Sequence, residues 1–195
     1  AAAGNEKEAF QLIVFPGGKN LKNVSVRFSE FKGTCESLPH SAVSATVVGF
    51  VAPKIFPVYS IDYMGFYSDP LLAFLDRVDV RKGEAQPFWI RFDIPKTQAA
   101  GVYKGQVEIA IDGKNVFAVD VSLRVYAFSV PDKAPLPLAI TFWPEYMRKW
   151  TMGIPAEKRD SVSAPRQAWK KHKNAWVEML ANYYMSYDSI YDEKI

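Results

Sequence analysis

The stretch PFWIRFDIPKTQAAGVYKGQVEIAIDGKNVFAVDVSLRVYAFSVP runs from Pro87 to Pro131 and decides the fold. Three runs in it alternate with period two. In the first, Phe88, Ile90, Phe92 and Ile94 share one face, with Trp89, Arg91 and Asp93 on the other. In the second, Val107, Ile109 and Ile111 oppose Gln106 and Glu108. In the third, Phe117, Val119, Val121, Leu123 and Val125 oppose Asp120, Ser122 and Arg124. Successive side chains of a strand point to opposite sides, so each run predicts a strand with one buried face. Asp112-Gly113 separates the second run from the third and supplies residue types that tolerate the positive φ of a hairpin turn. The three are read as consecutive antiparallel strands whose shared apolar face needs a second sheet to cover it. The expected fold is mainly β, an immunoglobulin-like antiparallel β-sandwich.

The residues before this stretch add short strands of the same kind. Phe10–Phe15 (FQLIVF), ended by Pro16-Gly17-Gly18, reads as a buried strand. Val24, Val26 and Phe28 alternate with Ser25 and Arg27. Ala42–Val51 and Ile55–Tyr59 are further strand candidates, Ser29–His40 reads as loop, and Asp79–Gly83 reads as a polar hinge. Gly17-Gly18-Lys19 lacks the spacing of a phosphate loop. The Asn23-Val24-Ser25 sequon inside an alternating strand is read as chance.

After Pro131 the character changes. Pro131, Pro135 and Pro137 form a proline-rich connector, so a boundary is placed there: residues 1–131 as the sandwich and 132–195 as a second, incomplete domain. Leu138–Trp143 is a short apolar strand, and Glu145–Ala164 is irregular. Pro165 suits the first turn of a helix that carries Trp169, Trp176, Leu180 and Tyr183 at helical spacing, and Met185–Tyr191 is a last strand. Strand, helix, strand is one βαβ unit, the start of a truncated (β/α)8 barrel, since a full barrel takes about 250 residues. The helix stripe needs cover, from the sandwich or from a second copy in a homodimer.

Composition narrows the chemistry. About half of the 195 residues are hydrophobic, so a core is affordable, and the net charge of +3 is spread without a basic face suited to nucleic acid. The cluster at Lys170, Lys171 and Lys173 reads as a solvated helix face. No apolar run reaches the length of a membrane span. A single cysteine, Cys35, and two histidines, His40 and His172, leave no metal-ligand cluster and no recognisable nucleophile–base spacing. No metal or other cofactor is expected. Ala1-Ala2-Ala3 opens abruptly onto a strand, which reads as a start trimmed by processing or cloning, with the signal peptide not in the chain.

Several motifs, in order, resemble the N-terminal part of the family 123 glycoside hydrolases and related bacterial proteins. Glu6-Lys7-Glu8-Ala9-Phe10-Gln11-Leu12 looks like the family's early E-x-E-A-F-Q-L strand. Tyr67-Ser68-Asp69-Pro70-Leu71-Leu72 looks like its Y-P-D-P-L segment, with Ser68 in place of proline. Gln86-Pro87-Phe88-Trp89-Ile90, Asp93-Ile94-Pro95 and Ala100-Gly101-Val102-Tyr103-Lys104-Gly105 resemble its Q-x-x-W-V, V-P and A-G-x-Y-x-G signature. Val125–Pro131 resembles the strand that exits toward the barrel. The likeness spans nearly the whole chain. It implies a β-sandwich ahead of a (β/α)8 barrel whose adjacent Asp-Glu pair serves substrate-assisted removal of N-acetylgalactosamine, on a later barrel strand. Asp192-Glu193 sits too early for that role and reads as a solvated charged end.

The resemblance implies an accessory domain of a bacterial glycoside hydrolase, inactive by itself, with a glycan substrate and the rest of the barrel as its partners. It also implies a periplasmic, exported or cell-surface location. The rival reading is a free-standing immunoglobulin-like carbohydrate- or protein-binding module of the cell surface, which has no reason to carry a βαβ tail. No catalytic residue is assigned. Trp143, Glu145 and Tyr146 follow the first barrel strand, where such barrels hold substrate, and are the substrate-binding candidates. Tyr59, Tyr63, Phe66, Tyr67 and Trp89 are candidates for a sugar platform or for interdomain packing, since aromatic rings serve both. Gly101 and Gly105 are read as backbone residues, a turn and a close approach.

Overall fold

A computed structural model describes residues 1–52, 63–132, 138–141, 178 and 185–188. The chain divides into two compact units, Ala1–Val130 and Pro131–Ile195. The first unit contains β1 (Ala2–Gly4), β2 (Lys7–Val14), β3 (Leu21–Phe28), β4 (Val43–Val51), β5 (Tyr67–Leu72), β6 (Val78–Val80), β7 (Gln86–Asp93), β8 (Gly101–Ile111) and β9 (Lys114–Ser129). One turn of 3-10 helix, His40–Ala42, precedes β4. The strands form a five-stranded sheet in the order β1-β9-β8-β3-β6 and a four-stranded sheet in the order β2-β7-β4-β5.

The mainly β reading holds, and the two sheets share one core. Phe88, Ile90 and Phe92 of β7 and Val43 and Val47 of β4 meet Val24 of β3, Tyr103 and Val107 of β8, and Leu123 and Val125 of β9 in a single buried cluster. Burying a side chain of this size contributes about 1.5–3 kcal/mol. The Asp112-Gly113 hairpin forms as its residue types require: φ is 48° at Asp112 and 78° at Gly113, and Ile111 pairs with Lys114 across the turn.

Four expectations need correction. The runs in the opening stretch are not three neighbours in one sheet: β7 lies in the four-stranded sheet, and only β8 and β9 pair with each other. Pro95 explains the switch. It has no N–H to continue the ladder and restricts Ile94 before it, and a turn closes where the Gln98 N–H donates to the Pro95 carbonyl at 3.1 Å. The sheets are also not wholly antiparallel, because β1, which no alternation announced, runs parallel to β9. Third, FQLIVF is buried on one face only. Phe10, Leu12 and Val14 pack on the core, whereas Ile13 is 58% and Phe15 64% exposed. Fourth, Asp79 does not sit in a hinge but in the short strand β6, which pairs with β3. There its carboxylate accepts from the Lys22 ammonium at 2.5 Å and from the Asn23 N–H at 3.0 Å, and these bonds hold it below the usual carboxylate range.

The apolar face of β9 is shorter than its alternation implies. Leu123 and Val125 are buried, but Phe117 is exposed, because the hairpin end runs past the core and a bulge between Ile109 and Ala110 shifts its register. Pro70 lies in β5, an edge strand with a register shift opposite Val48 and Phe50, the setting in which a strand tolerates proline.

In the second unit, β10 (Leu138–Thr141) and β11 (Met185–Asp188) pair in parallel, Leu138 with Met185 through Thr141 with Asp188. Parallel neighbours require a crossover between them. Of the helix expected there, Glu178 is described and is helical and exposed; the stripe Trp169, Trp176, Leu180 and Tyr183 lies outside the described residues, as do Ile55–Tyr59 and His172.

Candidate functional site

The signature from Ala100 to Gly105 builds a structural joint. Tyr103, third residue of β8, is 2% exposed, and its hydroxyl donates to the Ala99 carbonyl at 2.8 Å. The Gln98 amide donates to the Tyr103 oxygen at 2.9 Å and to Glu36 Oε1 at 2.5 Å, and the Ala99 N–H donates to the same carboxylate oxygen at 2.6 Å. Burial pushes the Tyr103 phenol above its ordinary range. The loop after β3 is thereby tied to the loop that crosses between the sheets. Gly105 completes the joint: a Cβ there would stand 2.8 Å from the Phe31 ring, which is itself buried edge-on against Phe92 at 5.1 Å. The reading of Gly105 as a close approach is thus given its partner, Phe31.

The aromatic platform candidates fall into two places. Trp89 is half-buried at the centre of the outer face of the four-stranded sheet, between Gln11 of β2 and Thr46 of β4. On the same face Arg91 donates to Asp93 Oδ2 at 2.8 Å, while Asp93 Oδ1 is buried with no hydrogen-bond partner among the described residues. Tyr63, Phe66 and Tyr67 are 59%, 70% and 39% exposed. The Tyr63 and Tyr67 rings lie 5.8 Å apart at 60°, and the Tyr67 hydroxyl donates to the Tyr63 carbonyl. Tyr67 pairs with Val51, whereas Trp89 pairs with Thr46. At about 3.3 Å per residue the two lie about 16 Å apart along β4. They are not brought together into one platform. Tyr59, Trp143, Glu145, Tyr146 and Asp192-Glu193 lie outside the described residues.

Among the described residues no group of three His, Cys, Asp or Glu side chains is arranged to hold a metal ion, and no helix is long and apolar enough to cross a membrane. Cys35 is exposed. One aromatic pair escaped the sequence reading. Tyr126 and Phe128 are 44% and 63% exposed, their rings 5.8 Å apart and 14° from parallel. The signal was present: they continue the polar face Asp120, Ser122, Arg124 by the same alternation.

The model of the glycoside hydrolase 123 N-terminal domain matches residues 2–111. Among solved structures, the chain is similar to a family 123 glycoside hydrolase from Clostridium perfringens, whose structure was analysed for glycolipid glycan hydrolysis. The TM-score is 0.71 at 16% identity, over 93% of this chain and 31% of that one. The chain therefore spans about a third of that enzyme's length. No curated protein matches the sequence.

Proposed function

Because the chain belongs to the glycoside hydrolase 123 family through its N-terminal domain, we propose that residues 1–131 are the accessory β-sandwich of a glycan-cleaving enzyme and that residues 132–195 open its catalytic (β/α)8 barrel. One observation carries the reading: the unit with the family match is followed by a parallel strand pair, Leu138–Thr141 with Met185–Asp188. Parallel pairs joined by a crossover are the repeating unit of such barrels. The sandwich is of immunoglobulin-like type. Support comes from the strand order, with β2-β7-β4 in one sheet and β3-β8-β9 in the other, which follows the B-E-D and C-F-G arrangement. The bond from Tyr103, near the start of β8, to a carbonyl four residues upstream is a further immunoglobulin-like feature.

The proposed substrate class is a glycan of the kind carried on glycolipids, by analogy with the Clostridium perfringens enzyme; a terminal N-acetylgalactosamine is what the motif resemblance to family 123 implies. Trp143, Glu145 and Tyr146 follow β10 in sequence, and barrel enzymes hold substrate at the C-terminal ends of their strands. These three are the proposed substrate contacts within this chain, and the catalytic carboxylates belong to later barrel strands. A glycan substrate fits a periplasmic or exported location in a bacterium.

The test is turnover of an aryl N-acetyl-β-galactosaminide. The 195-residue chain is expected to show none, and the protein carried on through its reading frame past Ile195 is expected to hydrolyse it. Turnover by the shorter chain that survives removal of contaminating hydrolases would refute the division of labour. An inert longer protein would refute the activity.

A further inference from the structure

The outer face of the five-stranded sheet holds a feature that catalysis does not use. A groove of about 500 Å³ crosses the β3, β8 and β9 side of the sheet, lined by Ser29, Glu30, Lys104, Gln106, Asp120 and Ser122. Its floor is built by pairing: Lys104 lies opposite Ser122, and Gln106 opposite Asp120. The Gln106 amide donates to Asp120 Oδ1 at 2.8 Å, and the Gln106 N–H donates to the Ser29 hydroxyl at 2.7 Å. These bonds fix an amide and a carboxylate side by side on two exposed residues. Along the same face of β9 the next side chains are Arg124, Tyr126 and Phe128. From Ser122 to Phe128 is about 20 Å at 3.3 Å per residue.

We propose that this face binds an oligosaccharide, with the groove hydrogen-bonding hydroxyls and the Tyr126–Phe128 pair stacking on sugar rings. Three observations select this ligand class. The charge is mixed, since Lys32 pairs with Glu30 at 3.4 Å and Asp120 shares the face with Lys104 and Arg124, so the surface lacks the uniformly basic character that nucleic acid or an anionic membrane selects. The groove offers amide, hydroxyl and carboxylate groups fixed by one another, as a polyhydroxylated chain requires. The aromatic pair is exposed, 44% at Tyr126 and 63% at Phe128, and its rings are held nearly parallel, 14° apart, so it offers apolar surface on which a sugar ring can stack. The volume lies within the range of small-ligand sites, about 300–1,000 Å³. The inference stands apart from the catalytic reading, because binding here needs no barrel.

The test is chemical-shift mapping on the 195-residue chain with soluble chitohexaose, cellohexaose, mannohexaose and an oligosaccharide ending in β-linked N-acetylgalactosamine, each up to about 10 mM. At least one is expected to shift the amides of Lys104–Gln106 and Asp120–Phe128. Tyr126→Ala with Phe128→Ala, and separately Ser122→Trp, which fills the groove, are expected to weaken that binding by about tenfold or more. All three positions are exposed, so the melting temperature should stay close to that of the parent chain. No shifts with any of the four sugars would overturn the proposal. So would shifts that map to Trp89 or Tyr63, or affinity unchanged in both variants.

Discussion

At the scale of single residues, Tyr103 does the most. Its ring fills the core while its hydroxyl meets Ala99, Gln98 and Glu36. Replacing Tyr103 by Phe keeps the ring and removes these bonds, at an expected cost of about 1 kcal/mol. The pH dependence follows from the raised phenol. A group whose pKa is higher in the folded state stabilises that state below its unfolded value, here 10.0, and loses the contribution as pH rises through the folded value. Denaturant unfolding should therefore show a constant gap between the parent and Tyr103→Phe up to about pH 10, and a narrowing gap above it. A gap that widens above pH 10 would contradict the burial argument.

At the scale of elements, β8 is where sequence and structure agree most closely. Its alternation from Gln106 to Ile111, the Asp112-Gly113 turn and the small residue at Gly105 all read directly into the fold. Gly105→Ala places a methyl group against the Phe31 ring, at a Cβ distance of 2.8 Å. Phe31 is wedged against Phe92 and has little room to yield, so a loss of about 1–3 kcal/mol is expected in thermal or denaturant melts. A neutral outcome would mean that the loop carrying Phe31 gives way. Other elements were less legible for identifiable reasons. A period of two tells which side of a strand is buried but not which sheet the strand joins, so the crossing at Pro95 was invisible. β1 has three residues, too few for a periodic signal, and is fixed by long-range pairing with β9. Phe117 reads as core by alternation, yet the hairpin overruns the core and exposes it. The same limit applies to the candidate site. Tyr63, Tyr67 and Trp89 were recognisable as aromatic candidates, but only strand pairing separates Tyr67 from Trp89. The Tyr126–Phe128 pair was hidden beside a familiar exit motif.

At the scale of the molecule, the two units differ in kind. The first carries a continuous core drawn from both of its sheets. The described part of the second is a four-residue parallel pair, which needs helices on both faces to be stable. The stripe expected from the sequence at Trp169, Trp176, Leu180 and Tyr183, with cover expected from the sandwich or from a second copy, lies outside the described residues. If the two-sheet unit, Ala1–Val130, is a domain in its own right as proposed, it should fold without the rest of the chain. The most direct measurement is the melting of a fragment ending at Pro131, followed by near-ultraviolet circular dichroism beside the full chain. One cooperative transition is expected, with the tertiary signal of the buried Tyr103 and its aromatic neighbours retained. A fragment that is unfolded, or that melts without cooperativity, would contradict the proposal.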